Sequence, residues 1–169
     1  MFQFLFPHYR INSVLELTKD WLRQEEINTL FLDVDSTLKF YRSALASEEI
    51  LEWVEELRKN KVRFYLISNG RAKRIKAVAE QLNVEYIAPA FKPLPFGCRK
   101  ALRLRKLDPQ YVAMVGDQLF TDIVAGNLAG IRTILVKPMR PEQEPLFTRI
   151  KRPFERWMLK LDRVHYDEQ

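Results

Sequence analysis

The sequence predicts an α/β protein whose core is an open, mostly parallel sheet of five strands flanked by helices. Two observations carry that expectation. Short, nearly continuous apolar runs alternate with segments of helical period, an order that implies parallel strands joined by helical crossovers. The runs also end in polar residues of a narrow chemical type, where open α/β sheets bind their ligands.

The first run, Ile27 to Leu32, is apolar at almost every position, as suits a strand buried on both faces. Ser47 to Asn60 then reads as a helix. Ser47 is an N-cap candidate, Glu48 and Glu49 suit the first turn, and Ile50, Leu51, Val54 and Leu57 share one face. Val62 to Ile67 is the second strand, followed by a helix over about Arg71 to Leu82. Val84 to Ala88 is a short third strand. A basic helix over Phe96 to Lys106 leads to the fourth, Tyr111 to Val115. Thr121 to Ala129 is helical, Gly130 is its C-terminal cap, and Ile131 to Val136 is the fifth strand. Ahead of this core, residues 12 to 25 predict one amphipathic helix carrying Val14, Leu17, Trp21 and Leu22. Behind it the chain is punctuated by Pro138, Pro141, Pro145 and Pro153 and becomes markedly basic.

The 169 residues suit one domain, 1–169, with its core at about 27–136, an amino-terminal helix and a basic carboxy-terminal extension. At 47% hydrophobic and 30% charged residues the chain is globular rather than disordered. Its one cysteine, Cys98, rules out an intramolecular disulfide, lends no support to a cysteine-rich metal site and fits a reducing compartment. The net charge of +6 favours anionic partners: phosphorylated metabolites, nucleic acid or an acidic membrane surface. No stretch approaches the roughly 20 apolar residues of a membrane-spanning helix. The apolar start, Met1 to Pro7, lacks the basic leader of a signal peptide, so the expected location is cytoplasmic.

Just past the first strand stand Asp33, Asp35 and Thr37. The second is followed by Ser68, Asn69 and Gly70, the third by Lys92, and the fourth by Gly116, Asp117 and, one turn on, Asp122. Carboxylates converging on one point repel each other unless a cation sits among them. Hard oxygen ligands select Mg²⁺, which also shares its shell with phosphate oxygens. One carboxylate can attack phosphorus, and a second two residues on can move the proton. Lysine, serine and backbone N–H groups can hold the phosphoryl oxygens. Each piece alone has an ordinary reading: a strand exit, a turn, a surface lysine. Their conjunction at four strand ends, in order, is what a site for phosphate esters needs.

This set resembles the four motifs of the haloacid dehalogenase superfamily over about residues 27 to 136. The resemblance implies a Rossmann-like sheet and a Mg²⁺-dependent phosphatase working through an aspartyl-phosphate. By the same resemblance Asp33 is the nucleophile and Asp35 the general acid/base. Thr37 buttresses the loop and, with Ser68, Asn69 and Gly70, belongs to the phosphate-binding set, while Lys92 stabilises charge on nucleophile and phosphate. Asp33, the Asp35 carbonyl and Asp117 would hold the metal, with Asp122 in support. Neither place where larger members insert a cap domain has room for one, so the site resembles the capless type.

The layout is closer still to the YqeG-type proteins and the related mitochondrial phosphatidylglycerophosphatases. The resemblance is carried by Pro7-His8-Tyr9, Ser13 to Leu17, Ile27 to Leu38 and Gly116 to Asp122. It implies a lipid head group, phosphatidylglycerophosphate, as substrate. Ser36 departs from the asparagine or glycine often found there, with little expected effect on the reaction. In the tail, Phe147, Ile150, Phe154, Trp157, Met158 and Leu161 recur at helical spacing among Arg149, Lys151, Arg152, Arg156, Lys160 and Arg163. Such a helix can lie on an anionic membrane, placing the protein on its inner face, with Phe2, Phe4, Leu5 and Phe6 as a second contact. The alternative is that both ends pack on the core or form a dimer seam, and Pro153 interrupts the helix. The basic residues Arg99, Lys100, Arg103, Arg105 and Lys106 read as a solvated helix face rather than a nucleic-acid track, and His8 and His165 as structural or surface residues. Two other functions stay open: a phosphatase of a soluble sugar phosphate or nucleotide, and a nucleic-acid or ribonucleoprotein assembly factor with a vestigial site. Oligomeric state is not readable.

Overall fold

The computed structural model describes residues 3–40, 43–139, 141–144 and 146–166. Phe2 and Pro145 lie outside the described residues, as do the side chains of Phe147, Leu161, Arg163 and His165. The sheet has six strands, β1 (Tyr9–Ile11), β2 (Thr29–Leu32), β3 (Arg63–Ile67), β4 (Glu85–Ile87), β5 (Val112–Gly116) and β6 (Arg132–Val136). All neighbours are parallel, in the order β1-β6-β5-β2-β3-β4. The α/β expectation holds, and five of the strands are those anticipated.

The sixth, β1, is a correction. Three residues with Arg10 facing water give no periodic signal, and what makes them a strand is pairing with β6. His8 anchors the pairing: its backbone N–H donates to the Thr133 carbonyl, and its Nδ1 accepts from the Thr133 N–H at 3.2 Å. The single helix expected over residues 12 to 25 is also corrected. Ser13 caps a 3₁₀ turn at Val14–Glu16, and Thr18 caps a separate helix, α1 (Lys19–Gln24), by accepting from the Trp21 N–H. Hydroxyl side chains that bond nearby N–H groups start helices rather than continue them. Val14, Leu17 and Leu22 are buried as the pattern required.

Strand β2 is central and buried at every residue. Its alternation feeds two cores: Leu30 and Leu32 face one with Val54, Ile75 and Val115, and Phe31 faces the other with Met114, Cys98 and Ala125. Helices α2 (Glu48–Lys59) and α3 (Ala72–Leu82) supply the first core, and α4 (Phe96–Arg105) and α5 (Val124–Ala129) supply the second. In α2 the buried face is Ile50, Trp53, Val54 and Leu57, with Leu51 only half-buried. Gly130 ends α5 in the left-handed region at φ 78°, as expected of a glycine there. The basic residues of α4 and its end are all exposed.

The tail forms one helix, α6 (Leu146–Tyr166), which runs through Pro153. The expected interruption is therefore a correction. Pro153 is exposed, and although a proline removes its own N–H bond and crowds the carbonyl four residues back, the helix continues past it. No helix among the described residues is long and apolar enough to cross a membrane.

Candidate active site

The order of the sheet reverses between β2 and β5, and ligands of such sheets bind beyond the strand ends at that point. The Asp33 N–H donates to the Val115 carbonyl, so the β2–β5 pairing persists to the first acidic residue. The loop that follows turns back on itself, with the Leu38 and Lys39 N–H groups both donating to the Val34 carbonyl. Ser36 occupies the left-handed region at φ 63°. Glycine and asparagine tolerate that conformation best, which is the physical reason for a preference for them at this position.

Lys92 is the buried centre. Its Nζ lies 2.6 Å from Asp33 Oδ1 and 2.6 Å from Asp122 Oδ1. Asn69 sets the backbone of Lys92, donating through Nδ2 to its carbonyl at 2.7 Å and accepting from its N–H at 2.9 Å. Both ends of that amide therefore hold the lysine in place. Ser68 Oγ accepts from the Gly70 N–H at 3.1 Å, which closes the turn and leaves the hydroxyl hydrogen to donate. Thr37 Oγ1 donates to Asp117 Oδ1 at 3.2 Å, tying the β2 loop to the β5 loop. A π-helical turn over Leu119–Ile123 brings Asp122 back, and its Oδ2 accepts from the Gln118 N–H at 3.0 Å.

Asp33, Asp117 and Asp122 are buried, with carboxylate oxygens that lie within 4.8 Å of one another. The Asp35 carboxylate turns the other way, to Lys39 Nζ at 2.9 Å and to the Arg74 guanidinium. Its Oδ1 is buried beside the Lys39 ammonium, which also donates to the carbonyls of Phe40 and Ser43.

Sequence reasoning missed the contribution of α6. The Arg152 guanidinium pairs with the Asp117 carboxylate and with Glu144, and donates to the Asp117 carbonyl at 2.5 Å and to Glu155 Oε2 at 3.1 Å. Glu155 in turn accepts from the Phe120 N–H at 3.4 Å. Lys39 and Arg74 were missed too. Only Lys39, four residues from Asp35, had a local signal. Beside Asp117, between α6 and the carboxyl ends of β1 and β6, opens a cleft of about 960 Å³ walled by Arg10, Lys137, Arg149 and Arg156, by Glu142, Glu144 and Glu155, and by apolar residues.

The electrostatics show too much negative charge for the cations present. Burial pushes the Asp33 carboxyl up to about 7 against the pull of Lys92, and the charges of Asp122 and Asp35 push the same way. Burial and then Asp122 hold Asp117 well above the usual carboxylate range, with Arg152 opposing. Burial works against the Lys92 ammonium, yet Asp122 and Asp33 outweigh it and hold its pKa up. Five carboxylates, Asp33, Asp117, Asp122, Glu144 and Glu155, share Lys92 and Arg152. A divalent cation with oxygen preference fits that imbalance.

A model of haloacid dehalogenase-like hydrolases matches residues 9–130. The chain belongs to that family. It is a haloacid dehalogenase-type enzyme of the phosphoric monoester hydrolase class, and the described residues include no cap domain. It is 29% identical over 157 residues to the probable phosphatase YqeG of Bacillus subtilis, which covers 93% of this chain and 91% of that one. The chloroplastic/mitochondrial phosphatidylglycerophosphate phosphatase 1 of Arabidopsis thaliana is 23% identical over 167 residues, 94% of this chain and 48% of that one. An acid sugar phosphatase of Staphylococcus aureus is 29% identical over 119 residues, 67% of this chain and 45% of that one. The chain thus spans nearly all of the Bacillus relative and about half the length of the other two. Among solved structures, an uncharacterized protein from Listeria monocytogenes serotype 4b superposes with TM-score 0.55 at 18% identity, covering 71% of this chain and 86% of that one. The cobalt-bound deoxy-D-mannose-octulosonate 8-phosphate phosphatase of Haemophilus influenzae gives 0.54 at 13%, covering 66% and 69%. These two show the same fold.

Proposed function

We propose that this haloacid dehalogenase-type enzyme is a Mg²⁺-dependent phosphatase of a lipid phosphomonoester, phosphatidylglycerophosphate, and that it acts through an aspartyl-phosphate on Asp33. The observation that carries the chemistry is the buried Lys92 bridging Asp33 and Asp122, two of three converging carboxylates with Asp117 the third. Asp33 and Asp117, with the Asp35 carbonyl, would hold the metal, and Asp122 would support that end. The bound ion would neutralise the carboxylates and offset charge on the phosphoryl oxygens.

The residues of the chain divide the work. A carboxylate oxygen of Asp33 forms the bond to phosphorus as the bond to the leaving oxygen breaks, and Asp35 gives that oxygen its proton. Asp35 then takes a proton from water, the water oxygen bonds to phosphorus, and Asp33 leaves as carboxylate with inorganic phosphate. Lys92 and the Ser68 hydroxyl meet the charge on the phosphoryl oxygens. Thr37 and Asn69 hold Asp117 and Lys92 in place. Arg74, about a third exposed beside Asp35, is placed to meet an incoming anion.

Three features support a lipid substrate. The Arabidopsis relative acts on phosphatidylglycerophosphate, no cap domain covers the site among the described residues, and the cleft beside Asp117 combines apolar walls with more basic than acidic side chains. Such an enzyme works as a peripheral protein on the cytoplasmic face of an anionic membrane. The staphylococcal relatives favour a second reading, a soluble sugar phosphate. A phosphate-release assay decides between them. Phosphatidylglycerophosphate in mixed micelles should be hydrolysed with Mg²⁺ in preference to sugar phosphates and nucleotides, and a chelator should stop the reaction. Asp33→Asn should lower turnover by a factor of at least about 10³ while keeping the wild-type circular dichroism. A fully active variant would remove Asp33 as nucleophile, and preference for a sugar phosphate would replace the lipid.

A further inference from the structure

We propose that the outward face of α6 is the surface by which this protein docks on an anionic lipid bilayer. The choice of a bilayer rests on the lipid-phosphate reading above, and the surface itself is carried by α6. Leu146, Ile150, Phe154 and Trp157 are 69, 60, 64 and 58% exposed, and several large apolar side chains left to water on one helix mark an interaction surface. Their spacing of four, four and three puts them on one stripe. Arg152, Glu155 and Leu159 lie on the opposite side of the same helix. Arg152 and Glu155 are fixed to Asp117 and Phe120, and the Leu159 carbonyl accepts from Arg10. The inner side of the helix is thus bolted to the site, and the apolar stripe faces away from the protein.

Charge selects the occupant. Residues 146–166 hold six Lys and Arg against two Asp and Glu, a net +4 of the whole chain's +6. Exposed Arg149, Arg156 and Lys160 flank the stripe on one side, with Lys151 on the other. A second copy of the chain would set these basic flanks against each other, whereas anionic head groups meet them while the acyl boundary takes the stripe. The geometry also has a consequence for turnover. Because Arg152 touches Asp117 directly, a helix lying in the interface brings the cleft beside Asp117 to the level of the lipid phosphates.

The full-length protein is sedimented with vesicles of phosphatidylcholine alone and of phosphatidylcholine with about one third phosphatidylglycerol. Binding to the second and not the first is expected, weakening as salt rises, with a blue shift of tryptophan emission from Trp157. Phe154→Glu/Trp157→Glu should lower the partition coefficient by about tenfold or more. The same variant should keep wild-type circular dichroism and wild-type hydrolysis of a soluble aryl phosphate. Binding that is absent in the wild type, or equal in wild type and variant, overturns the proposal. So does light scattering that finds a wild-type dimer and a monomeric variant, since the stripe would then be a self-interface. Micelle turnover separates the two readings. Vesicle binding that depends on the stripe, without hydrolysis of phosphatidylglycerophosphate in micelles, supports the docking surface and removes the lipid substrate. Hydrolysis in micelles without vesicle binding does the reverse.

Discussion

At Gly116 the backbone of β5 passes so close to Asp122 that a Cβ would lie 2.3 Å from its Cγ and 2.3 Å from its Oδ2. Asp122 cannot yield without leaving Lys92 and the Gln118 N–H, and Lys92 is the link to Asp33. Gly116→Ala should therefore displace the carboxylate that positions the lysine. Misplacement of a catalytic group by a large fraction of an ångström costs on the order of ten- to a hundredfold in rate. We expect that loss in kcat on an aryl phosphate, and unchanged kcat would show that Asp122 does not position Lys92. His8 offers a second test, far from the site. Burial first and then Arg132 on β6 lower its pKa below the ordinary 6.5, and the bond from the Thr133 N–H needs Nδ1 unprotonated. The unfolded chain binds the proton more readily, so this contribution to stability is present above about pH 6.5 and is lost as pH falls towards the folded pKa. An NMR titration of His8 should give a midpoint below about 6.5, and a midpoint above it would contradict the burial seen.

At the scale of elements, Arg152 ties α6 to the site through Asp117, Glu144 and Glu155. Removing its guanidinium would leave Asp117, Glu144 and Glu155 buried without their shared cation. Breaking a buried pair from one side costs about 3–5 kcal/mol, which for a chain of this size is roughly 6–20 °C in Tm. Arg152→Ala should show that fall in a thermal melt, together with faster amide exchange over residues 146–160. A melt unchanged from wild type would mean that α6 is held by other contacts. This helix also shows where the sequence could be read and where it could not. Strands β2 and β5 announced themselves because every residue is buried, and β3 and β6 because each carries a mostly apolar run, while the polar residues past β2, β3 and β5 marked the site by chemistry alone. β1 and the Arg152 network left no such trace. A strand of three residues is too short to show a period, and Arg152 looks like the other basic residues of its helix until the fold brings it back to Asp117. Ser13 and Thr18 are of the residue types that cap helices, but the longer apolar period around them hid the break between the two short helices.

For the molecule as a whole, the excess of buried carboxylate is a cost of the metal-free fold that a cation should relieve. The cluster joins the ends of β2 and β5, the two strands at the centre of the sheet, so an ion held there binds the native chain and not the unfolded one. Mass action then stabilises the fold by about 2.7 kcal/mol when the free ion is at a hundred times its Kd. At roughly 2–4 °C per kcal/mol this is a rise of about 5–11 °C in Tm. We expect Mg²⁺ to give that rise and a chelator to reverse it, with sodium chloride of equal ionic strength giving much less. Asp117→Asn should lose most of the shift, because it removes one of the three converging carboxylates while Asp33 and Asp122 keep Lys92. A Tm insensitive to Mg²⁺ in the wild type, or a full shift in the variant, would mean that the cluster is neutralised by protons and by Lys92 and Arg152 alone. The raised carboxyl of Asp33 would then describe a site that works without a resident ion.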